Sequence, residues 1–195
     1  MKIRTLFALL LPLPVIAEGV NQVRNNWAFG TEVQAYPAGF IPGIRMKFAP
    51  DAMQNFNMRL GYNVARRQDF GKHDTEQGGG WGGGIGYRRY GFQSLTPFFA
   101  GLRIDWWELT IDWRNGSTGL TNQNLNAVQS TGSTRISVLQ PTLEIGYDWA
   151  FAASWSLSAA LALGAEINVK TSGDAVGEGA ILLFGIALQR SFAAK

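Results

Sequence analysis

From residue 27 onward the chain alternates apolar and polar side chains with a period of two, in about eight runs separated by turn-forming stretches. Strand 1 is expected at about Trp27–Tyr36. Trp27, Phe29, Val33 and Ala35 fall on one face, and Ala28, Gly30, Glu32 and Gln34 on the other. A Pro-Ala-Gly turn with Pro42 follows. Strand 2 (about Gly43–Ala49) sets Ile44, Met46 and Phe48 against Arg45 and Lys47. Pro50-Asp51 turns the chain into strand 3, where Phe56, Met58, Leu60, Tyr62 and Val64 alternate with Asn57, Arg59, Gly61, Asn63 and Ala65. A polar, Gly-rich connection is expected from about Arg67 to Gly83. Strand 4 (about Gly84–Phe92) is weak, because Ile85 and Tyr87 share a face on which Arg89 also falls. After a turn at Gln93–Thr96, strand 5 opens with Phe98, Ala100, Leu102, Ile104 and Trp106 on one face and Gly101, Arg103 and Asp105 on the other. Its phase then flips, so that Trp107, Leu109, Ile111 and Trp113 become the apolar set; a β-bulge at Trp106-Trp107 would account for that.

A second polar connection covers Arg114–Ser133. Strand 6 places Leu139, Leu143, Ile145, Tyr147 and Trp149 opposite Gln140, Thr142, Glu144, Gly146 and Asp148. Pro141 lacks an N–H, so it requires a bulge or a locally open ladder. Strand 7 runs from Trp155 to Val169. A loop at Thr171–Gly179 leads to strand 8, with Leu182, Phe184, Ile186, Leu188 and Phe192 on one face. Ala150–Ala165 could pass for a helix by hydropathy, but Ser156, Ser158 and Gly164 at alternate positions favour a strand. Each run can cross a bilayer as a tilted strand, and none reads as a membrane helix.

The segment before residue 27 has a different character. Lys2 and Arg4 precede a short apolar stretch, Thr5 to Val15, and Val15-Ile16-Ala17 offers a cleavage site after Ala17. Residues 1–17 are therefore expected to be a signal peptide, 18–26 a lead-in, 27–192 the barrel and 193–195 a tail. Pro12 and Pro14 interrupt a run already too short for an anchor helix.

Alternation alone fits either a soluble barrel with an apolar inside or a membrane barrel with an apolar outside. Three features favour the membrane. Trp27, Phe48, Phe56, Phe98, Trp149, Trp155 and Phe192 gather at one set of strand ends, as an interfacial girdle does; the opposite rim has Trp106, Trp107 and Trp113. The longest connections lie at that opposite end. The presumed interior carries both charge signs, with Glu32 roughly opposite Lys47, Arg103 roughly level with Glu144, and Arg59 and Asp105 adding to the set. An eight-stranded barrel is filled by its side chains, so these charges must pair. The fold expected is all-β: a single up-and-down antiparallel transmembrane barrel of about eight strands.

Composition agrees. The 195 residues suit one domain, and charged residues are only 16%, where a soluble domain has about 25%. The formal charge is +3 and no basic stripe stands out, so no nucleic-acid partner is expected. Cysteine is absent, which excludes a disulfide framework and thiolate chemistry.

These features, with the terminal strand ILLFGIALQRSF, resemble the small eight-stranded outer-membrane barrels, the superfamily of OmpA transmembrane domains and OmpX-like proteins. The resemblance covers about residues 27–192. It implies a Gram-negative outer membrane, contact with its lipid, and insertion by the barrel-insertion machinery, which commonly reads a terminal aromatic residue. Phe192 matches in kind and is followed by Ala193-Ala194-Lys195. That superfamily has many roles, so the resemblance transfers no activity.

Candidate chemistry is sparse. His73, the single histidine, stands in His73-Asp74-Thr75-Glu76. These donors sit side by side on an expected solvated loop without a second cluster, a poor metal site. A Ser–His hydrolase acting on lipid A would use His73, yet no serine has an evident place beside it. The glycines around Trp81 lack the Lys-Ser/Thr of a phosphate loop; Trp81 reads as an interfacial anchor or a recognition aromatic. No metal and no cofactor are expected. The leading expectation is a monomeric, non-enzymatic barrel with a plugged polar lumen, structural or engaging an extracellular ligand through its loops. A lipid-modifying enzyme, a small-solute channel and a soluble ligand-binding barrel are the alternatives.

Overall fold

The computed structural model describes residues 27–68, 71–91, 97–116 and 130–192. Eight antiparallel strands close into a barrel in chain order: β1 (Trp27–Tyr36), β2 (Gly39–Phe48), β3 (Gln54–Gln68), β4 (Thr75–Tyr90), β5 (Phe98–Asn115), β6 (Ser130–Ala152), β7 (Trp155–Ser172) and β8 (Gly179–Phe192). β8 closes on β1 through pairs from Trp27–Phe192 to Ala35–Phe184. Partners followed round the ring from Trp27 through Phe48, Phe56, Tyr87, Leu102, Leu143 and Leu163 reach Leu182, about ten residues up from the start, which is the stagger a tilted eight-stranded barrel needs. The expected signal peptide, lead-in and tail, the turn at Gln93–Thr96 and most of the connection at Arg114–Ser133 lie outside the described residues.

The outer face carries a continuous apolar belt, with Phe29, Val33, Ile44, Met58, Leu60, Ile85, Leu102, Leu143, Ile145, Leu163, Leu182 and Phe184 all exposed. A belt of this extent belongs in hydrocarbon, where a closed barrel leaves no backbone edge unsatisfied. Trp27, Phe56, Phe98, Trp149, Trp155 and Phe192 rim its lower edge. The upper rim is Phe40, Tyr62, Trp81 and Trp106, with Trp81 edge-on to Tyr62 at 5.3 Å between ring centroids. Trp107 and Trp113 are not part of it.

No bulge interrupts β5. Its register with both β4 and β6 is continuous through Trp106 and Trp107. What changes there is the surroundings. Below, Leu102, Ile104 and Trp106 point out while Arg103 and Asp105 point in; above, Trp107, Leu109 and Ile111 point in while Glu108, Thr110 and Asp112 point out. β6 repeats this, with Thr142 and Glu144 inside the belt section and Thr134, Ile136 and Val138 inside the upper section. The strands leave the apolar belt at Trp106, and the two faces exchange chemistry because water replaces hydrocarbon outside. The barrel thus stacks a polar interior below an apolar one. The observed register shifts lie elsewhere, on β6–β7: one at Ser137/Val138, where Val169 is the extra residue, and one at Ala150/Ala152. The β6–β7 pairing also skips Gln140 and Pro141, the open ladder that Pro141 requires.

The Gly-rich stretch is strand, not loop: β4 begins at Thr75 and pairs with β3 from Gln68–Thr75 to Gln54–Arg89. Its inward positions from Gly78 to Gly86 are glycines, and at Gly82, Gly84 and Gly86 neighbouring side chains take the space. A Cβ on Gly82 would overlap the Trp107 ring, and one on Gly84 the Asp105 carboxylate. β2 starts at Gly39 and takes in Pro42, which pairs with Val33.

Candidate functional site

The lower interior is a web of ion pairs. Glu32 binds Arg45 and, through Oε1 at 2.8 Å, Arg59 Nη1. Arg59 Nε lies 2.8 Å from Asp105 Oδ1, and Arg103 Nε 2.8 Å from Asp105 Oδ2. Arg88 donates to both Glu144 oxygens, at 2.6 and 3.1 Å. Lys47 Nζ reaches Asp148 at 3.3 Å, and the Tyr90 hydroxyl donates to the same carboxylate at 2.6 Å. Glu32, Arg59, Arg103, Asp105 and Glu144 therefore meet in one network. One expected pairing is corrected. Lys47 is level with Ala28 and Glu32 with Gly43, because the β1–β2 register places them four residues apart; Lys47 instead spans the interior to Asp148. Arg103, level with Thr142, lies diagonal to Glu144 and bridges it at 3.7 Å, while the closer partner of Glu144 is Arg88.

Sequence reading missed Arg45, Arg88 and Asp148. Arg45 and Asp148 stand on the polar side of clearly alternating runs and were legible there. Arg88 was hidden because the inward face of β4 is mostly glycine and defines no phase. Between the charged web and the upper end, Trp107, Leu109, Ile111, Ile136, Val138, Ile181 and Leu183 form an apolar core. Trp107 is completely buried; its Nε1 donates to Gln140 at 3.1 Å, and Arg59 lies over its ring at 5.4 Å. A void of about 10 Å³ beside Glu32, Gln34, Arg45 and Arg103 is room for about one water.

At the upper mouth the β7–β8 loop folds inward. Val176 is fully buried on the apolar core. Gly173, with φ of +117°, supplies the left-handed backbone at the start of this descent. Glu76 anchors the loop. Its carboxylate accepts the Gly177 N–H at 3.0 Å, the Lys72 N–H at 2.8 Å and Arg67 Nη1 at 3.2 Å. Arg67 also donates to the Gly177 carbonyl at 2.8 Å and pairs with Glu166. Burial opposes ionisation of Glu76, but the Gly177 and Lys72 N–H groups, Arg67 and His73 outweigh it and hold its carboxyl below the ordinary carboxylate range.

His73 lies on the β3–β4 connection between exposed Lys72 and Asp74, but its own side chain is buried. Its ring stacks on Trp113 at 4.1 Å, and Nδ1 lies 3.2 Å from Glu76 Oε1. Asp74 points away, accepting the Gly116 N–H at 2.6 Å. Among the described residues no group of three His, Asp or Glu side chains is placed to hold a metal ion. Trp81 is 65% exposed on the outer face of β4, far from this cluster in role and direction.

No known protein-family profile matches the chain, and no curated protein matches it. Solved structures do resemble it. A major outer membrane protein from Thermus thermophilus has 15% identity and a TM-score of 0.48, covering 85% of this chain and 99% of that one. CarO2 from Acinetobacter baumannii has 8% identity and a TM-score of 0.46, over 85% and 98%. Neisserial surface protein A has 12% identity and a TM-score of 0.45, over 85% and 94%. The chain is thus similar to small eight-stranded outer-membrane β-barrels.

Proposed function

We propose that this protein is a closed, non-enzymatic barrel of a Gram-negative outer membrane, exported by a cleaved signal peptide, with its upper end outside the cell and its role carried by that end. The observation that carries the reading is the pairing of charge inside the barrel. Six cationic side chains (Arg45, Lys47, Arg59, Arg67, Arg88, Arg103) meet six carboxylates (Glu32, Glu76, Asp105, Glu144, Asp148, Glu166). Above most of them lie Trp107 and the Val176 stopper. Such an interior supports the barrel and leaves the rim and upper loops to meet partners.

Protein extracted from membranes should show heat-modifiable gel migration, a signature of a stable barrel. Planar bilayers containing it should record no conductance steps; discrete steps would overturn closure. Hydrolysis or acyl transfer on lipid A that vanished in His73→Ala would overturn the non-enzymatic reading. Recovery from the periplasm as a soluble protein would overturn the location.

A further inference from the structure

The barrel wall is low on one side. β1 and β2 turn back at Pro37-Ala38, whereas β8 continues above its last β1 partner from Phe184 to Gly179, and β3 above its last β2 partner from Ala65 to Gln68. The gap between β8 and β3 is closed only in part, by the Arg66 N–H donating to the Ala38 carbonyl at 2.5 Å. Behind the short hairpin lies a cavity of about 120 Å³, open at the upper mouth. Ala38 and Ile181 give it apolar walls, and the Tyr36 ring adds an aromatic one. Its charged lining is Arg67, Glu166 and Glu178.

These charges do not cancel. Arg67 is engaged by Glu166 and by Glu76 behind it. Glu178 is exposed; its Oε2 accepts the Asn168 N–H at 3.0 Å, and among the described residues no cationic group forms a salt bridge with it. The cavity therefore offers apolar walls, one surplus carboxylate and no spare cation. An anion entering it would face Glu166 and Glu178; an ammonium would satisfy Glu178 while its carbon chain covered Ala38 and Ile181. The volume is somewhat under the about 150 Å³ of a cavity that holds benzene, which sets the apolar body at about four to six carbons.

We propose that this notch between the β1–β2 turn and the β7–β8 loop is a binding site for a small organic cation, an alkylammonium held by Glu178. The site stands whether or not the barrel conducts. The test is a titration of folded protein in detergent micelles with n-butylammonium chloride, following the backbone amide resonances of Gly177 and Ala180. Sodium butyrate serves as the probe of equal shape and opposite charge. Saturable shifts are expected with butylammonium and none with butyrate. Glu178→Gln, an exposed change that keeps the Asn168 contact, should weaken binding about tenfold, as loss of a charged hydrogen-bond partner does. Equal binding of butyrate, unchanged affinity in Glu178→Gln, or no saturation in the native protein would each overturn the proposal.

Discussion

Trp107 shows how one side chain determines its neighbours. It is fully buried between the charged web and the apolar core, and Gly82 on β4 exists to let its ring approach. Trp107→Ala should open a cavity with little room to relax and cost about 3–5 kcal/mol, seen as a lower urea midpoint for unfolding from bilayers. Glu76 is the other decisive residue. Its carboxyl is held below the ordinary 4.5, so it is ionised in the folded protein well into acid. A depressed acid stabilises the fold above its unfolded value, and that contribution is lost as pH falls through the lower folded value. The Gly177 amide should accordingly be protected from hydrogen exchange at pH 7 and lose its protection only in acid below the range where an ordinary carboxylate titrates. In Glu76→Ala, protection at Gly177 should already be weak at pH 7, while amides in the centre of β5 exchange as before. A Gly177 amide unaffected by either change would show that Glu76 does not hold the loop.

At the scale of the element, β5 carries the most information. Its sequence holds two alternations in opposite phase, and a bulge was the local explanation. The observed ladder is continuous, and the phase change marks where the strand leaves the apolar belt. Leu102→Lys, whose wild-type side chain is 58% exposed in the middle of the belt, should cost about 2–4 kcal/mol of folding free energy in bilayers. Thr110→Lys, eight residues along on the same outward face but above Trp106, should cost under about 1 kcal/mol. Equal costs at the two positions would remove the boundary at Trp106. The eight runs themselves were legible because seven of them alternate plainly. β4 was not: with glycine at Gly78, Gly80, Gly82, Gly84 and Gly86 facing in, it has no amphipathic signal, and its strand character comes only from pairing with β3 and β5. The charged web was legible as a set of polar positions, since alternation tells which side chains point inward. Which charge meets which was not, because partners such as Lys47 and Asp148 face each other across the interior rather than along a hairpin.

For the whole molecule, the balance of charge inside the barrel decides what a single substitution does. Arg88 and Glu144 are both almost completely buried and share two hydrogen bonds, with Arg103 and Asp148 nearby. Removing one member leaves the other desolvated and without its partner. Glu144→Leu should therefore destabilise the barrel by about 3–5 kcal/mol, and Arg88→Met by a similar amount. The double variant Arg88→Met/Glu144→Leu removes both charges and keeps most of the volume. It should be less destabilised than either single variant, with a coupling of at least about 2 kcal/mol in a cycle of urea unfolding measurements. The size of that coupling discriminates between two kinds of interior. In a water-filled channel each charge would be solvated independently, the effects would add, and either single change would leave stability nearly untouched while altering ion flow. In a filled interior the charges exist as pairs, so the pair is the unit that can be deleted, and the wall of the barrel depends on their matching as much as on its hydrogen-bonded strands.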